Sequence, residues 1–262
     1  MKAGPPRELE LAELGPGSAL HEAFLALHAP WIARGMGRWL SLVRPGGRWP
    51  VRVFGVSGEG GRQQLLGAIV ALGVREPVTR FDDLLEGRVP ALDEGEPPAV
   101  WHLIAVTTDP EVRGAGLGRS LAAAAVRELG RARPAPTIQT LSPALGLRRA
   151  MLALGLSEPA EAARVTTARL CDAEGRPWLG IQRFHQGNGA SLDATHPESR
   201  ADDADSAHVT LCFGYATDPR VLAAGRDAYR QRVGERRRLV AAGSATPVVG
   251  LPGAFRVPPS SG

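Results

Sequence analysis

A glycine-rich turn between an apolar strand and a small-residue helix constrains the fold of this chain more than any other segment. Residues 99–107 form a nearly continuous apolar run, which is typical of a central, buried strand. The turn occupies residues 112–120, and an Ala/Leu-rich helix follows it and ends before Pro134. Glycines at a helix start leave backbone N–H groups open and place no Cβ between them and a phosphate. The turn is therefore a candidate phosphate-binding site.

Three known phosphate motifs compete for this turn. A P-loop needs Gly-Lys-Ser/Thr, whereas this chain has Gly118-Arg119-Ser120 and a different upstream glycine spacing. A dinucleotide-binding turn needs Gly-x-Gly-x-x-Gly and an acidic residue about 20 positions further on, but the spacing here is Gly-x-Gly-x-Gly. The third pattern, Arg/Gln-x-x-Gly-x-Gly/Ala, matches Arg113, Gly116 and Gly118 without gaps.

With this third pattern, residues 51–154 resemble the GCN5-related N-acetyltransferase (GNAT) superfamily. The resemblance implies an α/β fold with a mixed central sheet, splayed strands and flanking helices. It also implies that the turn binds the pyrophosphate of coenzyme A while the pantetheine runs down the splay. The implied CoA-binding residues are Val106, Arg113, Gly114, Ala115, Gly116, Leu117, Gly118 and Arg119.

Two later segments indicate a reaction other than amine acetylation. Residues 139–149 contain Thr-Leu-Ser-Pro-x-x-Gly, and residues 184–190 contain Phe-His-x-x-Asn-Gly-Ala. In this order they resemble malonyl-CoA decarboxylase and the GNAT-like decarboxylase/S-acyltransferase loading domains of polyketide synthases. The resemblance implies conversion of a malonyl or methylmalonyl thioester of CoA or acyl carrier protein to the acetyl or propionyl thioester. It leaves open whether the chain also transfers the acyl group to a carrier protein as a polyketide starter unit.

The chemistry of this reaction suits hydroxyl and imidazole groups. Loss of CO2 leaves an enolate whose electrons the thioester carbonyl accepts, so we expect no metal and no cofactor beyond the CoA or phosphopantetheine thioester. The protein must donate a hydrogen bond to the enolate oxygen and a proton to carbon. Thr140 and Ser142 are two residues apart and would share one face of a strand, so either is a candidate donor. His185 is the candidate proton donor and partner of the malonyl carboxylate or enolate oxygen.

Three further residues are candidates for substrate binding, each with a structural alternative. Asn188 would orient His185 or its loop, although Asn188-Gly189 also matches a type I′ hairpin turn. Arg200 would pair with the malonyl carboxylate, or lie solvated in an acidic loop. Trp49 would wall the acyl pocket, or pack at the start of the first strand.

Ser142 also has a structural alternative. Ser142-Pro143 matches a helix N-cap followed by proline at the first helical position, with the helix running over residues 143–154.

An N-acetyltransferase that uses acetyl-CoA on a small-molecule amine is the alternative function. Such enzymes place a carboxylate near the central strand and often a tyrosine acid, but residues 100–107 contain no acid. The chain has two tyrosines, Tyr215 and Tyr229, and Tyr215 ends a predicted strand. A CoA-binding domain without activity is a third possibility, against which the paired motifs argue.

Charge and aromatic content limit the classes of partner that the chain is expected to bind. The net charge is +4 and Lys2 is the only lysine among 31 basic residues, but aromatic residues make up only 5%, so we expect no nucleic-acid binding. The charge favours a phosphate-bearing ligand or an acidic protein partner, and the resemblance implies malonyl-CoA or methylmalonyl-CoA and an acyl carrier protein. The arginines that would dock the carrier are Arg148, Arg149, Arg220, Arg226, Arg230, Arg236, Arg237 and Arg238.

The sequence also predicts the compartment and the domain layout. No apolar run reaches the roughly 18 residues of a membrane span, and the N-terminus is polar, so we expect a cytoplasmic protein with no membrane contact. The predicted layout is an N-terminal helical segment (1–45), a GNAT-like catalytic domain (46–242) and a flexible tail (243–262). Strands are predicted at 51–57, 64–74, 99–107, 137–141 and 208–215, and a basic helix over 218–240.

Overall fold

The computed structural model describes residues 12–13, 24–25, 48–57, 65–112, 116–157, 171–172, 174–199, 205–242, 246–248 and 255–257. The chain divides into two compact units. The first comprises residues 1–78 and 83–140, and the second comprises residues 79–82 and 141–262. The predicted domain boundaries at 45/46 and 242/243 stay predictions.

The first unit contains a five-stranded mixed sheet in the order β1-β2-β3-β4-β5. Its strands are β1 (Ala12–Glu13), β2 (Val51–Ser57), β3 (Leu65–Val74), β4 (Val100–Thr108) and β5 (Thr137–Thr140). Neighbouring strands are antiparallel from β1 to β4, and β4 and β5 are parallel. β3 and the first half of β4 are almost wholly buried, which explains their continuous apolar runs. The strands predicted from the sequence at β2, β3, β4 and β5 are confirmed.

β4 changes course where its pairing with β5 ends. The parallel ladder runs from Val100 opposite Thr137 to Leu103 opposite Thr140. At the same level the register with β3 skips Ile104, which forms a β-bulge. A bulge bends its strand and increases its twist. After the bulge, β4 continues to Thr108, beyond the end of the β5 ladder. The resemblance implies a splay at this place, and the ladder between β4 and β5 does end here.

Two helices and one 3₁₀ turn accompany the strands of the first unit, and the first helix contains a boundary between the two units. α1 (Phe81–Leu85) follows β3, and a single 3₁₀ turn (Pro110–Val112) follows β4. α2 (Leu117–Leu129) then packs on the sheet with one apolar face, made by Leu121, Ala122, Ala124, Ala125, Val126 and Leu129. The small alanines on this face let α2 lie close to β2, β3 and β4.

The second unit is built around β8, which pairs antiparallel with β6 on one side and β7 on the other. Its elements are β6 (Ser142–Pro143), α3 (Leu147–Leu154), α4 (Gly180–Gly187), β7 (Ser191–His196), β8 (Thr210–Tyr215), α5 (Pro219–Ala241), β9 (Thr246–Val248) and β10 (Phe255–Val257). β9 and β10 form a separate two-stranded antiparallel ribbon within the predicted tail. None of the described helices, α5 included, is long and apolar enough to cross a membrane.

Two local predictions around Ser142 are wrong. Ser142 is not a helix N-cap, because it lies in β6 opposite Leu211 and the chain stays extended through Pro143. α3 begins only at Leu147, after Gly146 at φ +85°. Thr140 and Ser142 also do not share a strand, because β5 ends at Thr140 and Ser142 opens β6. The pairing of Ser142 with Leu211 overrides the local helix signal at Ser142-Pro143.

The start of α5 matches the prediction from the sequence. Asp218 is the N-cap, and its side chain accepts a hydrogen bond from the Arg220 backbone N–H at 2.8 Å. Pro219 occupies the first turn, where its missing N–H costs nothing.

The cap of α5 supplies a stability prediction. We expect Asp218→Ala to lower the free energy of unfolding by about 1 kcal/mol, because it leaves a backbone N–H of the first turn without its acceptor. Urea denaturation followed by circular dichroism measures this change. Asp227→Ala is the matched control, since Asp227 makes only an exposed pair with Arg230 at 2.8 Å and should change stability by less than about 0.5 kcal/mol. Equal losses in the two variants would contradict the capping role.

Candidate active site

Three buried side chains of the second unit form one hydrogen-bonded series. Ser142 Oγ lies 3.2 Å from His185 Nε2, and the Tyr215 hydroxyl lies 2.7 Å from His185 Nδ1. The exposed fractions are 6% for Ser142, 3% for His185 and 6% for Tyr215. Both ring nitrogens of the imidazole are therefore engaged, one by each hydroxyl.

The geometry of β8 explains how distant residues reach one place. Leu211, Phe213 and Tyr215 alternate along β8 and therefore share one face of the strand. Ser142 pairs directly with Leu211, so its side chain lies on that same face. His185, near the end of α4, contacts this face and stacks on Phe213, with ring centroids 4.8 Å apart and an interplanar angle of 26°.

The turn that follows α4 is tied to the backbone of His185. The His185 carbonyl accepts hydrogen bonds from the Asn188 N–H at 3.0 Å and from the Ala190 N–H at 3.1 Å. The Asn188 side chain is buried beside Tyr215 and acts to lower the pKa of its hydroxyl. The hairpin-turn alternative for Asn188-Gly189 is wrong, because Asn188 has φ −91° and a type I′ turn needs positive φ at both positions. Asn188 is instead the C-cap of α4.

Burial keeps this group uncharged. Desolvation lowers the pKa of His185 from 6.5 to about 3, so its imidazole is neutral at pH 7. Desolvation also raises the pKa of Tyr215, and the neighbouring Asn188 side chain opposes part of that rise. A neutral imidazole donates through one nitrogen and accepts through the other. When Tyr215 donates to Nδ1, Nε2–H donates to Ser142, and the Ser142 hydroxyl proton is left for a third group.

The neutral imidazole leads to a prediction on the pH dependence of stability. The unfolded chain takes up a proton on His185 below pH 6.5, whereas the folded protein does so only near pH 3. This contribution to stability is present above pH 6.5 and is lost as the pH falls from 6.5 towards 3. We expect the free energy of unfolding of the wild type to fall in this window more steeply than that of His185→Gln, by up to about 1.4 kcal/mol per pH unit. Urea denaturation at a series of pH values measures both slopes, and parallel curves would contradict a buried, neutral His185.

The predicted CoA turn belongs to the first unit. Gly116 adopts φ +84° and is the N-cap of α2, without a side-chain hydrogen bond to the helix. Leu117, Gly118 and Arg119 form the first turn, which contains no acidic side chain. Its backbone N–H groups and the positive end of the helix dipole suit a phosphate. The predicted CoA-binding residues Arg113, Gly114 and Ala115 lie outside the described residues.

The other predicted residues occupy different places in the structure. Val106 is half-buried in the part of β4 that continues past the β5 ladder. Thr140 is fully buried at the end of β5, in the first unit. Trp49 is 7% exposed, and its indole N–H donates to the Pro90 carbonyl at 3.2 Å, which is the packing alternative. Arg200 lies outside the described residues. Their roles toward a substrate stay predictions.

Sequence reasoning did not assign Tyr215 and Phe213 to the site. The structure brings together Ser142, His185 and Asn188, all three predicted, and adds these two aromatic residues. A signal was available, because the alternation along β8 places Phe213 and Tyr215 on one face. What the sequence could not supply was the pairing of β6 with β8, which turns Ser142 toward that face.

Solved structures with a similar fold include two malonyl-CoA decarboxylases and a GNAT-like decarboxylase. The malonyl-CoA decarboxylase of Cupriavidus metallidurans is 17% identical, with a TM-score of 0.63 over 90% of this chain and 67% of its own. The enzyme of Agrobacterium vitis is 17% identical, with a TM-score of 0.67 over 88% of this chain and 67% of its own. The GNAT-like decarboxylase GphF, solved with isobutyryl-CoA, is 19% identical, with a TM-score of 0.56 over 80% of this chain and all (100%) of its own.

These similarities establish the fold. The chain has the GNAT fold, as its sequence predicts, and it spans about two thirds (67%) of the length of the two malonyl-CoA decarboxylases. No protein-family model matches the sequence, and no curated protein matches it.

Proposed function

We propose that this protein decarboxylates malonyl or methylmalonyl thioesters to acetyl or propionyl thioesters. The observation that carries the proposal is the buried, uncharged series Ser142–His185–Tyr215, which can deliver a proton from a hydroxyl that is hydrogen-bonded to a neutral imidazole. Ser142 and His185 also belong to two short motifs that resemble those of malonyl-CoA decarboxylases.

The reaction needs one proton and no external electrons. The bond between the carboxylate carbon and the α-carbon breaks, CO2 leaves, and the bonding pair moves into the α-carbon–carbonyl bond to give the thioester enolate. The enolate oxygen needs a hydrogen-bond donor while it carries the charge. The α-carbon then takes up one proton, and the products are CO2 and the shortened thioester. The carbonyl of the thioester is the electron sink, so the proposal includes neither a metal nor an additional cofactor.

Ser142 and His185 divide these tasks. The Ser142 hydroxyl donates to the enolate oxygen or protonates the α-carbon. In the second case His185 Nε2, at 3.2 Å, returns a proton to Ser142 while Tyr215 passes its hydroxyl proton to Nδ1. The series then takes up one proton from water before the next turnover. Tyr215 is a positioning residue, since its hydroxyl at Nδ1 fixes the tautomer in which Nε2 carries the proton. A neutral His185 also avoids a strong ion pair with the malonyl carboxylate, which would stabilise the substrate before CO2 leaves.

The first unit would hold the CoA or phosphopantetheine carrier of the acyl group. The N-terminus of α2, which follows the N-cap Gly116 and has no acidic side chain in its first turn, would receive the pyrophosphate. β4 beyond the bulge at Ile104, where Val106 lies, would pair with the pantetheine.

The structure offers little to an amine acetyltransferase. β4 contains no acidic residue, and its one titratable side chain, His102, is fully buried and accepts a hydrogen bond from the Val78 N–H at 3.0 Å. Tyr215, a candidate acid for that reaction, is buried against His185. We therefore keep amine acetylation as an outcome of the test below.

Mass spectrometry of malonyl-CoA and methylmalonyl-CoA incubated with the purified protein tests the proposal. We expect CO2 loss from the wild type well above the rate without enzyme. Ser142→Ala and His185→Gln should lower kcat by about 100-fold or more, because each removes a member of the proton path. Tyr215→Phe should lower it by roughly 3- to 10-fold, the loss of one hydrogen bond.

Matched controls separate catalysis from folding and binding. Ser191→Ala changes an exposed serine of β7, and Tyr229→Phe changes the second tyrosine, so both should keep the wild-type kcat. Isothermal titration calorimetry with CoA should give the same Kd for all variants, since the predicted CoA turn belongs to the first unit. Absence of CO2 release despite CoA binding would overturn the proposal and favour amine acetylation.

We further propose an acidic acyl carrier protein as the partner that presents the thioester, with α5 as its docking surface. α5 has seven arginines against Asp227 and Glu235, a net charge of +5, whereas the entire chain has a net charge of +4. The positive excess of the chain is therefore concentrated on this helix. Arg230 and Arg237 are exposed and seven residues apart, so they lie on one side of α5. Acidic carrier surfaces complement such a row of guanidinium groups.

Charge reversal tests the docking surface. The double variant Arg230→Glu/Arg237→Glu should raise KM for a malonyl-carrier-protein substrate about tenfold, or roughly 1.4 kcal/mol, while KM for malonyl-CoA stays unchanged. Arg131→Glu/Arg133→Glu, at exposed positions after α2, makes the same change in charge elsewhere and should leave both KM values unchanged. An equal rise of KM in the two double variants would show that only the total charge matters.

A further inference from the structure

Two glycines let the turn after α4 lie directly on the backbone of α5. A Cβ at Gly225 would lie 2.4 Å from the Gly189 carbonyl oxygen, and a Cβ at Gly189 would lie 2.2 Å from the Leu222 carbonyl oxygen. Both distances are far below van der Waals contact, and both neighbours are backbone atoms. Any side chain at either position therefore requires one chain segment to move away from the other.

Helix formation alone does not explain why position 225 of α5 is a glycine. A glycine in a helix interior costs about 1 kcal/mol relative to alanine. α5 contains a second interior glycine, Gly234, and a Cβ there would meet nothing within 4 Å. Gly225 and Gly234 thus share a helix and a residue type but differ in what a Cβ would meet.

The turn that rests on Gly225 is the turn that holds His185. Gly189 lies between Asn188 and Ala190, whose N–H groups both donate to the His185 carbonyl. The Asn188 N–H also donates to the Phe184 carbonyl at 3.1 Å, so the turn is tied to the last residues of α4 at two carbonyls. A displacement of Gly189 away from α5 would be passed to His185 through these backbone hydrogen bonds.

We infer that Gly225 is a positioning residue for His185, acting through the backbone contact of Gly189 with α5. α5 serves in this inference as the support that keeps the imidazole against Phe213 and within reach of Ser142. The inference rests on the proposed decarboxylation for its kinetic readout, but its geometry stands on the contacts alone.

Alanine variants at the two interior glycines of α5 test the inference. Gly225→Ala should lower kcat for malonyl-CoA about 100-fold, the effect of a displacement of about 1 Å at a reacting group, with KM unchanged. It should also move the acid limb of the kcat–pH profile to higher pH, because a displaced His185 is less buried and its pKa rises. Gly234→Ala should keep kcat and the pH profile and raise Tm by about 2–4 °C.

The outcomes separate a positioning role from a merely structural one. A folded Gly225→Ala with the kcat and pH profile of Gly234→Ala would overturn the inference, and so would a change in KM alone. Lack of CO2 release by the wild type would instead remove the proposed function and leave the geometric inference to a second measurement.

Hydrogen–deuterium exchange on the wild type is that second measurement, and it also decides the case if Gly225→Ala does not fold. The amides of Asn188 and Ala190 should exchange as slowly as those of β8, since the contact with α5 holds the turn closed. Exchange as fast as that of the exposed Thr217 would show that the turn is not held, and would overturn the inference.

Discussion

Burial of one imidazole is the constraint on which the second unit depends. His185 is 3% exposed, stacks on Phe213, and has a hydroxyl at each ring nitrogen, so its polar atoms are satisfied without water. Desolvation makes the charged form costly, and the two hydroxyls make the neutral form well hydrogen-bonded. Every element that supplies a partner must therefore be in place at once: β6 for Ser142, and β8 for Phe213 and Tyr215.

Much of the fold was predictable because local sequence patterns specify its strands and helices. The apolar run of β4, the glycine turn, the alanine-rich α2 and the Asp218 cap of α5 each carry their own signal, and the structure confirms the strands and helices that they predict. Two short sequence motifs also indicated Ser142 and His185 as candidate site residues. In these places local propensity and the native structure agree.

The errors lie where the surrounding structure overrides local sequence signals. Ser142-Pro143 has the local signature of a helix start, but pairing with Leu211 keeps the chain extended there. Asn188-Gly189 has the signature of a hairpin turn, yet Asn188 ends α4. Tyr215 was missed as a partner of His185 because hydrogen bonds between residues 30 positions apart leave no trace in composition or spacing. Contacts of this kind depend on tertiary packing, which single-sequence patterns do not encode.

The shared face of β8 has a consequence for how this protein can evolve. Leu211 and Phe213 are fully buried core residues, and Tyr215 on the same face contacts His185. A deletion or insertion of a single residue within β8 would turn the residues on one side of the change to the opposite face, so the three could no longer share one face. Selection therefore acts on stability and reactivity together along this strand. Substitutions that a surface strand would tolerate are not tolerated on this face of β8. The opposite face of β8 is constrained by packing as well, because Cys212 is buried and a Cβ at Gly214 would overlap the Asp193 side chain.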